Sequence, residues 1–97
     1  MLTSKQRAKL RSLANSIEPV FQIGKGNLSD VQIQELSAVL SKRELIKISV
    51  LKGCDYTAKE LIEIVADELD AEPVAAIGNR MIIYRRSDDK SVAHIEL

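Results

Sequence analysis

The sequence predicts one α/β domain over residues 1–97, with the element order α-β-α-β-α-β-β, two layers and a four-stranded mixed sheet. Three segments begin with the capping-box pattern of a helix, and apolar runs typical of strands lie between them. The last two runs flank Gly78, Asn79 and Arg80, a tight hairpin signal. Strands separated by helices pair in parallel, whereas a hairpin is antiparallel, so the sheet is predicted to be mixed.

The first helix is predicted over residues 4–15, because Thr3 and Gln6 form a capping box and Pro19 ends the helical pattern. The apolar stripe that we expect to be buried consists of Leu10, Leu13, Ala14 and Ile17. Basic residues flank this stripe, Lys5 and Lys9 on one side and Arg7 and Arg11 on the other. No acidic residue precedes Glu18.

Two further helices are predicted over residues 30–43 and 58–70. Their capping boxes are Ser29 with Gln32 and Thr57 with Glu60. The residues expected to be buried are Ile33, Leu36, Val39 and Leu40 in the second helix, and Leu61, Ile64, Val65 and Leu69 in the third. The outer face of the third helix is acidic, because residues 55–72 contain seven acidic residues and one Lys.

Strands are predicted over four runs, residues 20–23, 45–51, 74–77 and 81–84. In the second run Ile46, Ile48 and Val50 alternate with Lys47 and Ser49, which indicates one buried and one solvated face. Residues 92–97 alternate weakly, and this tail is a candidate for a short edge strand.

Composition excludes several classes of protein. The single Cys54 rules out an internal disulfide, and one His cannot complete a four-ligand zinc set of Cys and His. No segment approaches the roughly 20 apolar residues of a membrane span, and the first residues lack the apolar core of a signal peptide. We therefore expect a cytoplasmic monomer with no cofactor, no metal, no membrane contact and no small-molecule substrate.

Charge is unevenly distributed although the formal net charge is zero. Residues 1–29 contain five basic residues and one acidic residue, in contrast to the acidic third helix. Like charges four apart on a helix repel each other, so a partner that neutralises the basic residues of the first helix is plausible. A positive end attracts anions such as phosphates, although a solubilising face would have the same composition.

A glycine-bearing loop over Gly24, Lys25, Gly26 and Asn27 joins the first strand to the second helix. It lacks the longer pattern of a nucleotide-hydrolysing P-loop and the third glycine of a dinucleotide fingerprint, where Ser29 stands instead. Two interpretations remain: a clamp on a nucleic-acid backbone, whose close approach glycine permits, and a simple turn. Basic residues also bracket the last strand, namely Arg80, Arg85 and Arg86.

Four segments resemble the stand-alone YhbY-like proteins of the CRM-domain family, and they occur in the family's order along nearly the whole chain. They are TSKQRAKLRSLA, PVFQIGKG, ELIKISV and VAAIGNRMIIYR. The resemblance implies a fold similar to the C-terminal domain of a bacterial translation initiation factor. It also implies RNA binding and, for bacterial members, association with precursors of the large ribosomal subunit.

The same resemblance implies which residues contact RNA. The family's GxxG loop falls on residues 24–27, where Asn27 replaces the last glycine, and its basic end of the last strand falls on Arg85. Its basic first helix corresponds to Lys5, Arg7, Lys9 and Arg11. We add Arg80 and Arg86 from their position beside the last strand.

Three functions are ranked on these observations. The first is RNA binding in ribosome assembly, with no chemistry on the RNA. The second is a protein-interaction adaptor that uses the acidic third helix, and the third is a small nucleotide-using enzyme, suggested by the glycine loop alone. Catalysis through His94 is not expected, because the sequence suggests no partner for it.

Overall fold

The computed structural model describes residues 2–24, 29–54 and 56–97. In these ranges, three helices each precede a strand, and a fourth strand follows the third. The elements are α1 (Ser4–Ala14), β1 (Phe21–Ile23), α2 (Asp30–Arg43), β2 (Leu45–Val50), α3 (Ala58–Glu68), β3 (Glu72–Ile77) and β4 (Arg80–Tyr84). All three capping boxes form as predicted. The tail over residues 92–97 is not a strand, so that expectation was wrong.

The sheet has the strand order β1-β2-β4-β3. β1 pairs in parallel with β2, whereas β4 pairs antiparallel with both β2 and β3. The predicted mixed sheet and the α/β class are therefore confirmed. The β3–β4 turn consists of Gly78 and Asn79, and Gly78 has a φ of 59°, as the first position of a tight hairpin turn requires.

Helices cover both faces of the sheet. On one face, α2 and α3 pack on a core that includes Ile46, Ile48 and Ile83 and that we call the α2–α3 core. On the other face, Leu10 and Ala14 of α1 belong to a second core, which we call the α1 core. That core also contains Leu45, Val74, Ile82 and Tyr84. α1 therefore forms a layer of its own, in addition to the two predicted.

The third layer explains why β2 is buried on both faces. Lys47 and Ser49, predicted to be solvated, are only 8% and 7% exposed. They lie on the face that α1 covers, because they alternate with residues of the α2–α3 core. The prediction of a half-solvated strand was therefore wrong.

Two apolar residues predicted to be buried are exposed. Leu13 of α1 is 41% exposed and Ile64 of α3 is 55% exposed, whereas Ile62 is buried. The side of α3 that faces the sheet includes Ile62 and not the predicted Ile64. Helical spacing alone did not show which of these two residues is buried. None of the helices within the described ranges is long and apolar enough to cross a membrane.

Candidate nucleic-acid interface

The four basic residues of α1 are all exposed, and they are Lys5, Arg7, Lys9 and Arg11. The first turn of α1 contains no acidic residue, although the positive end of a helix dipole favours one there. Among the described residues, no ion pair is found for any of these four side chains, whereas His94 and Glu44 lie 2.7 Å apart. The positive charges of α1 are therefore available to an anionic partner.

These charges lie on two flanks of α1. Arg7 and Arg11 line a shallow groove of about 170 Å³ between α1 and Val74 of β3. Lys5 and Lys9 lie on the opposite flank, because helical spacing places them on the other side of the buried Leu10. The predicted division of the basic residues around the helix is thus present.

Two turns meet at one end of the sheet, beside Gly24. The amide of Leu51 donates to the carbonyl oxygen of Ile23 at 2.9 Å, which brings the turn after β2 beside Gly24. The amide of Val50 donates to the carbonyl oxygen of Asn79 at 2.6 Å, which adds the β3–β4 turn. The predicted residues Lys25, Gly26 and Asn27 lie outside the described residues, and their part in a site stays a prediction.

None of the described residues crowds Gly24 in a way that would require a glycine for folding. A Cβ atom there would lie 3.9 Å from Cδ1 of Leu51, an ordinary van der Waals contact, and its backbone is not left-handed. A glycine without such a structural requirement is consistent with a backbone that a ligand approaches closely.

Arg80 connects this end of the sheet with the face that α1 covers. It begins β4 directly after the β3–β4 turn and is exposed. By strand alternation it lies on the same face as Ile82 and Tyr84, which belong to the α1 core. Arg80 is thus an exposed basic residue on the face that α1 covers, at the end of the sheet marked by Gly78 and Asn79.

Arg85 lies at the other end of β4, roughly 17 Å from Arg80 at about 3.4 Å per residue. Its guanidinium donates four hydrogen bonds of 2.7–3.0 Å, to the hydroxyl and carbonyl oxygens of Ser37, the hydroxyl of Ser41 and the carbonyl oxygen of Leu69. The structure thus gives Arg85 a structural role, tying α2 to the end of α3. Its contact with RNA stays a prediction, as does that of its exposed neighbour Arg86.

Sequence reasoning missed the environment of Glu44. This residue is fully buried, and its carboxylate accepts hydrogen bonds from the amides of Ser87 and Ile95, both at 2.7 Å. It also lies 2.7 Å from Nδ1 of His94. Burial alone raises the pKa of the Glu44 carboxyl, but the hydrogen bonds from His94, Ser87 and Ile95 outweigh it and hold the pKa below its ordinary value.

The described residues contain no group of three or more His, Cys, Asp or Glu placed to hold a metal ion. The fold and its charged surface define a small α/β domain with a basic helix on one face of a mixed sheet and a cluster of turns at one end. The chain belongs to the CRS1 / YhbY (CRM) domain family, whose model matches residues 2–85. The resemblance noted in the sequence is thereby confirmed.

Relatives in bacteria match almost the full chain. This chain is 38% identical over 89 residues to the Probable RNA-binding protein YqeI of Bacillus subtilis, and the match covers 92% of this chain and 93% of that protein. It is 33% identical over 92 residues to an RNA-binding protein of Haemophilus influenzae, covering 94% and 92%. The solution structure of SAV1595 from Staphylococcus aureus matches with a TM-score of 0.77 at 42% identity, over 98% of this chain and 100% of that one.

Proposed function

We propose that this protein binds RNA, that its target is ribosomal RNA of the large subunit or its precursor, and that it assists ribosome assembly without a chemical step. The observation that carries the proposal is the set of exposed basic side chains on α1, for which the described residues provide no ion-pair partner. The relatives named as RNA-binding proteins support RNA as the polyanion.

The arrangement of charge on α1 is unfavourable for the free protein. Lys5 and Lys9 are four apart on the helix, as are Arg7 and Arg11, and each such like-charge pair costs about 0.2–0.5 kcal/mol. Phosphates relieve this repulsion, and each one that is bound releases condensed counterions, which makes the affinity depend on salt. Backbone binding of this kind fixes the orientation of RNA without reading its sequence.

The direct test is a variant with Lys5, Lys9, Arg11 and Lys25 all changed to Ala. We expect weaker binding to large-subunit ribosomal RNA. The slope of log affinity against log salt should fall by roughly 0.7–0.9 for each phosphate that the variant no longer neutralises. A matched control removes the same charge elsewhere, by changing Lys42, Arg43, Lys59 and Lys90 to Ala. Equal affinity and slope in the variant of Lys5, Lys9, Arg11 and Lys25 and in the wild-type protein would contradict the proposal.

The ribosomal part of the proposal has a separate test. Crosslinking the protein to RNA in cells should attach it to defined positions in large-subunit ribosomal RNA or its precursor. Crosslinks dispersed over messenger RNA would remove the ribosomal target and leave RNA binding itself in place.

A second candidate function is a protein-interaction adaptor that uses α3. The observation that favours it is Ile64, which is 55% exposed on a helix whose outer face is mostly acidic. Under this hypothesis a partner remains bound after nuclease treatment and is released by the variant Ile64→Arg. Release of all partners on nuclease treatment would favour RNA binding alone.

A further inference from the structure

An open pocket of about 340 Å³ lies at the end of the sheet where the turn after β2 meets the β3–β4 turn. Its walls come from the turn after β2, the start of α3, and Gly78 and Asn79 of the β3–β4 turn. This volume is at the lower end of the roughly 300–1,000 Å³ typical of small-ligand sites, so the pocket suits one small group.

Tyr56 lines this pocket, and among the Phe and Tyr residues, all of which lie in the described ranges, it alone has an exposed side chain. The chain has three Phe and Tyr residues and no Trp. Tyr84 is buried in the α1 core, and Phe21 is partly buried against the α2–α3 core. Tyr56 is 49% exposed. A half-exposed ring beside a small cavity can stack on a planar group.

The polar groups of the pocket suit a nucleobase with phosphates on either side. Nδ2 of Asn79 donates to the carbonyl oxygen of Val50 at 3.3 Å, which fixes the side chain and leaves its Oδ1 as an acceptor. Among the described lining residues none is acidic, and Lys52 is basic. The exposed Arg80 directly follows Asn79 in the chain.

The pocket adjoins the start of the glycine loop. Leu51, which lines the pocket, donates its amide to the carbonyl oxygen of Ile23, and its Cδ1 atom is the nearest neighbour of the space beside Gly24. Leu51 thus lies between Gly24 and the pocket, so a sugar–phosphate chain that approaches Gly24 is close to the pocket.

We infer that this pocket receives one unstacked base of single-stranded RNA, which stacks on Tyr56 while Lys52 and Arg80 neutralise the adjacent phosphates. The inference rests on the proposed RNA binding and deepens it, because it names a single-stranded segment as the substrate class. A base inside a continuous duplex is stacked on both sides and cannot enter the pocket.

The test compares the wild-type protein with the variants Tyr56→Ala and Tyr56→Phe, using a ten-nucleotide oligoadenylate and an RNA duplex of the same length. Tyr56→Ala should weaken binding of the single strand about 5- to 150-fold, the range for removal of one base–aromatic stack. Tyr56→Phe keeps the ring and should bind like the wild-type protein. Neither variant should change the affinity for the duplex or the salt slope, because Tyr56 is uncharged. Ile64→Ala is the matched control, since it removes another exposed apolar side chain away from the pocket.

A second measurement does not depend on any variant. Adenosine monophosphate added to the ¹⁵N-labelled wild-type protein should shift the amide signals of Gly53 and Gly78, which line the pocket. Unchanged affinity of Tyr56→Ala for the single strand, or no shift of these two signals, would overturn the inference. If the variant of Lys5, Lys9, Arg11 and Lys25 no longer binds RNA while Tyr56→Ala binds the single strand as tightly as the wild-type protein, the proposed function stands without the pocket. If the wild-type protein binds neither RNA, both are overturned.

Discussion

The carboxylate of Glu44 lies 2.7 Å from Nδ1 of His94, a residue 50 positions later in the sequence. The same carboxylate accepts hydrogen bonds from the amides of Ser87 and Ile95. Glu44 has φ 64° and ψ −34°, a backbone conformation that costs a non-glycine residue about 1–3 kcal/mol. This residue therefore fastens the segment over residues 86–97 to the corner between α2 and β2, in spite of the backbone strain.

Replacing Glu44 by Gln should make stability less sensitive to acid. The folded-state pKa of Glu44 lies below its ordinary value of 4.5, so its ionised form stabilises the protein fully above about pH 4.5. That contribution disappears as the pH falls below 4.5 and through the folded-state pKa. At pH 7 the variant should be less stable by about 1.5–3 kcal/mol, as expected for a hydrogen bond to a charged group.

Urea unfolding of both proteins between pH 7 and pH 3 measures this difference. The exposed carboxylates are common to both proteins and cancel in the comparison. The free energies of unfolding should converge as the pH falls. A difference between the two proteins that stays constant from pH 7 to pH 3 would contradict the role assigned to Glu44.

Arg85 and Arg86 should differ sharply although they are neighbours. Arg85→Ala removes the group that bonds Ser37, Ser41 and Leu69, so we expect the protein to be destabilised by at least about 2 kcal/mol, by the usual cost of unpaired buried polar groups. Arg86 is exposed, and Arg86→Ala should stay within about 0.5 kcal/mol of the wild-type protein. Thermal unfolding measures both, and equal stability of the two variants would refute the structural role of Arg85.

Local patterns predicted much of the fold because the interactions they describe are local. Each capping box needs only two residues three apart, and α2 begins and ends where it was predicted, at residues 30 and 43. Tertiary partners left no such signal. The residues that neighbour Arg85 in the sequence do not mark it, rather than Arg86, as the arginine that bonds α2. Its acceptors on α2 are 44 to 48 residues away in the sequence. Lys47 was wrongly predicted to be solvated, because the alternation in β2 does not show that α1, from another part of the chain, covers this face of the sheet.

The candidate site was predictable to a similar degree. Charge counting found the basic first helix, and its residues are exposed as the composition suggested. Sequence placed Arg80 and Arg85 on either side of the last strand. It could not reveal that Arg85 bonds α2 and the end of α3, or that Tyr56 lines a pocket with Asn79. Those relationships arise where elements distant in the sequence meet in space.

Ile62 and Ile64 of α3 provide a test of how this helix packs. Ile62 is 7% exposed and belongs to the α2–α3 core, so Ile62→Ala should destabilise the protein by about 2–5 kcal/mol. Ile64 is 55% exposed, and Ile64→Ala should change stability by less than about 0.5 kcal/mol. Urea unfolding distinguishes the two, and a larger destabilisation at Ile64 would mean that α3 is rotated from the position described.

Gly24→Ala should separate binding from folding. The site accommodates a Cβ atom and its backbone is not left-handed, so the change should stabilise the protein by about 0.4–1 kcal/mol through the unfolded chain. RNA affinity should nevertheless fall, because the added methyl group occupies the space of the approaching backbone. Gly53→Ala is the contrasting variant, since Gly53 has a φ of 96° and substitution there should destabilise the fold. Unchanged RNA affinity of Gly24→Ala would show that no close approach occurs at this residue.

Lys5→Glu should make the protein more stable and a weaker RNA binder. Lys5 lies in the first turn of α1, where the helix dipole favours an acidic group, and the new carboxylate would pair with Lys9 one turn later. Together these effects should add about 0.5–1.5 kcal/mol to the free energy of unfolding. The same change removes one phosphate-binding charge and introduces repulsion, so both affinity and salt slope should decrease. Lys5→Gln, which only removes the charge, should fall between the two proteins in both measurements. A variant that gains stability and binds RNA as tightly as the wild-type protein would mean that the positive charge of Lys5 does not bind RNA.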